Sequence, residues 1–259
     1  MFCKGISWSI GGDKTVSKVV TLPNILKKFN PKVIGFSKGT SRLHVTSKQL
    51  NVAISGQEAN HIPTQAQNLV NLIKNSKDIS INEDWKVVTL FIGGNDLCDI
   101  CINKVKHLPE NYIKDIREGL DILQANLPKT FVNFVSILNV EDIKDMNRGL
   151  FCKEIHKTEC PCAAYPSSEA DIIKLDNYFK EYTRLSEELV DSGRYDIKDD
   201  FTVVLQPFFK EFLSPRLSNG KVDLSYFAPD CFHFSAKSHG KFFNFSNSNN
   251  KSNNKLNKL

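Results

Sequence analysis

The sequence predicts an α/β domain built on a parallel β-sheet. Short apolar runs alternate with longer stretches of helical period. The runs are nearly continuously apolar, as in strands covered on both faces. Polar motifs follow three of them, after Ile54, after Ile92 and after Gln206. Open α/β sheets place their ligand crevice at that carboxyl edge.

The elements follow in order. Residues 48–55 read as a short strand that meets Gly56. Residues 63–75 read as a helix, with Pro63 in its first turn and Ala66, Leu69, Val70 and Ile73 at i, i+3, i+4 and i+7. Residues 86–92 are an apolar run ending in Gly93-Gly94, read as a strand buried on both faces. Residues 110–125 form a helix with Ile113, Ile116, Leu120 and Leu123 on one face, and residues 131–138 another buried strand. A cysteine-bearing loop is expected over 147–166. A long helix follows over 168–191, its core stripe being Ile172, Leu175, Phe179, Tyr182, Leu185 and Leu189. Residues 201–206 are the last clear strand, and loop signals dominate after Pro207.

The 259 residues suit one large domain, and 41% apolar with 10% aromatic residues suffices for a core. The net charge of +5 is uneven, because Lys241, Lys251, Lys255 and Lys258 sit in an acid-free end. Without them the body is nearly neutral, and nothing in it suggests a nucleic-acid footprint. Residues 240–259 turn Asn/Ser/Lys-rich, read as a disordered tail behind a domain over 5–239. No apolar run reaches membrane-spanning length. The start, Met1-Phe-Cys-Lys-Gly, lacks the apolar run of a secretion signal, although seven cysteines favour an oxidising compartment.

Three motifs carry candidate chemistry. Gly93-Gly94-Asn95-Asp96 follows a buried strand, and its glycines allow a sharp turn from which Asn95 aims its amide N–H at a developing oxyanion. An ordinary turn uses the same residue types. Asp230-Cys231-Phe232-His233 sets a carboxylate three residues from an imidazole, as a histidine base and its orienting partner require, in apolar surroundings that would partly shield the pair. A metal ligand or structural histidine fits that pair equally. Gly56, at a strand end, can present its backbone N–H as a second oxyanion donor, or simply make a turn.

Taken together, Gly56, Gly93-Gly94-Asn95-Asp96 and Asp230-x-x-His233 resemble blocks II, III and V of the GDSL (SGNH) hydrolases. The flanks Asp84-Trp-Lys-Val-Val-Thr-Leu-Phe-Ile92, Asp200-Phe-Thr-Val-Val204, Gln206-Pro-Phe-Phe209 and Phe227-Ala-Pro-Asp-Cys-Phe-His-Phe-Ser235 resemble the phospholipase B branch. The resemblance spans about residues 5–239. It implies a three-layer flavodoxin-like sheet and metal-free, cofactor-free hydrolysis of phospholipid and lysophospholipid acyl esters at a membrane or micelle surface. It implies an extracellular or membrane-associated protein. His233 matches the general base, Asp230 its orienting carboxylate, and Gly56 and Asn95 the oxyanion donors.

The family's block I, Gly-Asp-Ser at the end of the first strand, has no counterpart; Gly11-Gly12-Asp13 is followed by Lys14. The expectation is a sheet without its first strand, from a chain whose nucleophile and secretion signal lie upstream, or a pseudoenzyme or lipid-binding remnant. Unpaired buried backbone groups at about 1–3 kcal/mol each would then weaken a fold whose typical net stability is about 5–15 kcal/mol. Gly35-Phe-Ser37-Lys-Gly39 fits the G-x-S-x-G elbow of α/β-hydrolases, but lacks the strand before and the helix after it. Zinc ligation by Cys98-x-x-Cys101 and Cys160-x-Cys162 is weighed against disulfides, which the implied secreted class favours. The six cysteines other than Cys3 allow 15 connectivities, and none is assigned.

Overall fold

The computed structural model describes residues 4–40, 49–146 and 149–240. The chain divides into two compact units. The larger comprises residues 52–224 and 229–232, the smaller residues 1–51, 225–228 and 233–259.

The larger unit is built on three parallel strands, β1 (Lys86–Leu90), β2 (Thr130–Val135) and β3 (Phe201–Gln206), in the order β1-β2-β3. Lys86 lies opposite Thr130, which lies opposite Phe201, so the carboxyl ends of all three share one edge. In chain order the helices are α1 (Leu22–Phe29, in the smaller unit), α2 (Ile62–Lys74), α3 (Gly94–Cys98), α4 (Pro109–Asn126), α5 (Leu150–Glu159), α6 (Pro161–Ala164) and α7 (Glu169–Asp191). Helix α2 packs on α4, α4 on α7, and α7 on β3. Pro63 sits in the first turn of α2, and all four residues expected on its apolar face are buried. Helix α4 buries Tyr112, Ile116, Gly119, Leu120 and Leu123; Tyr112 replaces Ile113 on the buried face. Its ring stacks on Tyr182 of α7 at 4.0 Å between centroids. The stripe of α7 is shifted: Leu175, Phe179, Tyr182, Thr183 and Ser186 are buried, while Ile172, Leu185 and Leu189 are half-buried. Aromatic bulk at 179 and 182 fills the interface and leaves room beside it only for small residues.

Three expectations fail. Residues 48–55 form no strand: Lys48 lies outside the described residues, Gln49 makes only an isolated parallel bridge to Gly35, and residues 50–54 have no regular structure. Strand β1 is not buried on both faces. Among the described residues it pairs with β2 alone, and at this edge position Val87 is 46% exposed. The expected cysteine loop over 147–166 is instead the helix pair α5 and α6. Cys152 and His156, one helical turn apart, give α5 a buried face, and Pro161 starts α6 without losing a needed N–H.

In the smaller unit, Thr21 caps α1 by accepting from the Asn24 N–H at 3.3 Å while donating to the Gly11 carbonyl at 2.6 Å. Gly12 is close-packed: a Cβ there would lie 2.0 Å from the Phe36 ring. Asp13 accepts the Gly39 N–H at 3.1 Å. Gly11-Gly12-Asp13 thus has a local structural role.

Candidate active site

Asn95 lies just past the carboxyl end of β1, in the first turn of α3. Gly93 makes the turn possible. Its φ of +113° disfavours any side chain, and a Cβ there would stand 3.0 Å from Tyr112 Cε2. The Asn95 side-chain amide donates to the Gln57 carbonyl at 2.8 Å. That bond places the amide beside the turn at Gly56, whose φ is +77°. The structure therefore brings together two of the sequence-predicted residues, Asn95 and the Gly56 turn. The amide has two N–H groups, so one stays available for a ligand.

A buried polar cluster supports this corner, and sequence reasoning missed it. The Asp96 carboxylate accepts the Ala59 N–H at 3.2 and 3.1 Å from its two oxygens. This fixes the segment that follows Gly56. His107, only 2% exposed, stands 3.7 Å from Asp96 through Nδ1 and 3.7 Å from Glu58 through Nε2. Lys106 forms an ion pair with Glu58. Burial, followed by the nearby Glu58 charge, raises the Asp99 carboxyl above the usual carboxylate range. The Tyr182 hydroxyl donates to the His107 carbonyl at 2.8 Å, tying the cluster to α7. Only Asp96, inside the quoted motif, carried any sequence signal.

The three disulfides are Cys98–Cys160, Cys101–Cys162 and Cys152–Cys231. They join the end of α3, the α5–α6 pair and the 229–232 loop into one covalent block. Disulfide pairing of the six cysteines agrees with the sequence reading, and Cys3 lies outside the described residues. Cys231 has a φ of +59°, unusual for a residue other than glycine. It is held on both sides, by Cys152 through sulfur and by His156 Nε2, 2.9 Å from its carbonyl oxygen.

Asp230 is half-buried, and its carboxylate accepts the Phe232 N–H at 3.0 Å, closing a tight turn. His233 is exposed, contrary to the expectation of shielding. Its carbonyl accepts the Ala228 N–H at 2.7 Å, within the smaller unit. Phe227 is buried in that unit, where it stacks on Phe234 at 5.9 Å between centroids. Asp230 and His233 fall in different units.

Ser37 is buried at an isolated bridge to Gly11, its N–H donating to the Ile10 carbonyl at 2.8 Å. It does not top a strand-to-helix elbow, which leaves its hydroxyl without the exposure a nucleophile needs.

A family model described as GDSL-like Lipase/Acylhydrolase matches residues 6–245. Across 92% of its length the chain is 43% identical to membrane-associated phospholipase B1 of human and 42% identical to that of mouse. The rat protein of that name is 41% identical over the same share. The matched stretch is 16–17% of those proteins, so the chain spans about one-sixth of the length of the relatives it matches. The α/β order and parallel sheet are consistent with the flavodoxin-like fold of this class.

Proposed function

The chain belongs to the GDSL-like lipase/acylhydrolase family, and we propose that it carries the oxyanion donors and the Asp/His pair of a phospholipase B-type ester hydrolase. The substrates are phospholipids and lysophospholipids at a membrane or micelle surface, in an extracellular or membrane-associated setting. The observation that best supports the reading is the Asn95 side-chain amide donating to the carbonyl of Gln57, the residue after Gly56.

In this reading a serine hydroxyl attacks the ester carbonyl and His233 takes its proton. Asp230 orients the imidazole and offsets its charge. The Gly56 N–H and the Asn95 amide hold the negative oxygen of the tetrahedral intermediate. The C–O bond to the lysolipid or glycerol alcohol breaks, and His233 returns the proton to that alcohol. Water then attacks the acyl-serine and loses its proton to His233, which passes it to the departing serine oxygen as the fatty acid is released. The 259 residues contain no Gly-Asp-Ser triplet, so this reading requires a serine supplied from outside them.

The test joins to Ile6 an upstream segment that carries a strand ending in the family's Gly-Asp-Ser and the crossover that follows it, and measures fatty-acid release from lysophosphatidylcholine. Activity should vanish with His233→Ala and fall roughly 100- to 1,000-fold with Asn95→Ala. Full activity in His233→Ala would sink the assignment. A folded but inert chimera would favour the pseudoenzyme alternative. A fluorophosphonate should leave Ser37 of the present chain unlabelled.

A further inference from the structure

The covalent block that holds the Asp230 loop also carries an exposed apolar tip. Leu150 and Phe151, adjacent in the first turn of α5, are 80% and 64% exposed. Single exposed apolar residues are ordinary, but two large ones side by side in one helical turn leave, among the described residues, adjacent apolar surface open to water. The next residue is Cys152, bonded to Cys231 between Asp230 and Phe232. Four residues further, His156 holds the Cys231 carbonyl. The tip and the candidate catalytic loop are thus one rigid piece.

The flanks of the tip are cationic and aromatic. Lys153 is exposed and, among the described residues, has no carboxylate partner; the nearby Glu154 is engaged with Lys157 at 2.7 Å. Tyr165, 44% exposed, donates its hydroxyl to the Lys153 carbonyl at 3.1 Å. A projecting Leu-Phe pair, an amphipathic phenol beside it and an exposed ammonium together match a phospholipid surface. Acyl chains accept the apolar pair, the headgroup layer accepts tyrosine, and phosphate accepts lysine.

We propose that Leu150 and Phe151, flanked by Lys153 and Tyr165, insert into the phospholipid surface and thereby seat the 229–232 loop at the lipid interface. This deepens the phospholipase reading and rests on it for the choice of partner. Because the ties to Cys231 already order the tip, little ordering entropy is lost on insertion.

The experiment uses the full 259-residue chain and needs no hydrolysis, so its outcome is separate from that of the activity test. Phe151→Trp is titrated with vesicles of phosphatidylcholine containing phosphatidylglycerol, and tryptophan emission is followed. A blue shift is expected. None is expected from a tryptophan at Ile197, 74% exposed just before β3 at the opposite end of the strands. The Leu150→Ser/Phe151→Ser double variant should co-sediment with the vesicles about tenfold less well. Circular dichroism and a thiol count confirm that this variant folds with its disulfides intact. Equal co-sedimentation by the double variant, or the same blue shift from both tryptophans, overturns the proposal. So does a double variant that changes only the oligomeric state, which would make the tip a contact between copies.

Discussion

Replacing Gly93 by alanine tests whether the turn that presents Asn95 depends on the missing side chain. Two effects add. A φ of +113° is disfavoured for an L-residue by about 1–2 kcal/mol. The new Cβ would also meet Tyr112 Cε2 at 3.0 Å and Ile137 at 3.5 Å. The Tyr112 ring cannot retreat, since it is 1% exposed and stacked on Tyr182. Overpacking of that kind costs about 1–3 kcal/mol. Reduced freedom of the unfolded chain offsets about 0.4–1 kcal/mol, leaving a net loss of about 2–4 kcal/mol. Gly220 is the control: its φ is +80°, but a Cβ there meets nothing within 4 Å. Gly220→Ala should therefore cost about 1 kcal/mol or less. The assay is urea unfolding followed by far-UV circular dichroism, with the m-value compared between variants. Equal losses in the two variants would show that the Tyr112 contact does not matter and refute the steric half of the reasoning.

Cys152→Ser/Cys231→Ser opens a loop spanning 79 residues and should lower stability by about 4 kcal/mol on the loop-closure account, read by urea unfolding. A loss under about 1 kcal/mol would show that the loop is constrained without this bond. Asp96→Ala leaves the buried Ala59 N–H without its acceptor and should cost about 1–3 kcal/mol, with faster hydrogen exchange at Ala59 as the local readout. Unchanged exchange there would contradict the clamp. Burial holds His239 down to about 4, from an ordinary value of 6.5. Between these pH values the unfolded chain binds more protons, so the contribution is complete above about 6.5 and is lost as pH falls toward about 4, up to about 3 kcal/mol. His239→Gln should flatten the stability–pH curve over that window, and an unchanged slope would exclude His239 as the source.

Periodicity located the elements because it reports local burial. The buried face of α2 and the bounds of β3 were legible, since residues close in sequence decide them. The same signal misled wherever distant partners mattered. The run over 86–92 has the composition of a central strand, yet among the described residues β1 pairs on one side only. The 147–166 segment reads as a loop from its Gly, Cys and Pro content, but Cys98, Cys101 and Cys231 stabilise it as helices. For the candidate site, Gly56, Asn95, Asp230 and His233 were legible as residue types within short motifs. The cluster of Glu58, Lys106 and His107 was not, because its members come from separate segments without a shared spacing.

The sequence by itself determined the α/β order, the family resemblance and the four candidate site residues, because each rests on short-range patterns that survive without three-dimensional contacts. The tertiary structure decided the pairing of the cysteines, the edge position of β1, the bond between Asn95 and Gln57 and the exposure of Leu150 and Phe151. Each of these depends on which distant segments meet, and closing a loop of some sixty to eighty residues leaves no periodic trace in the chain.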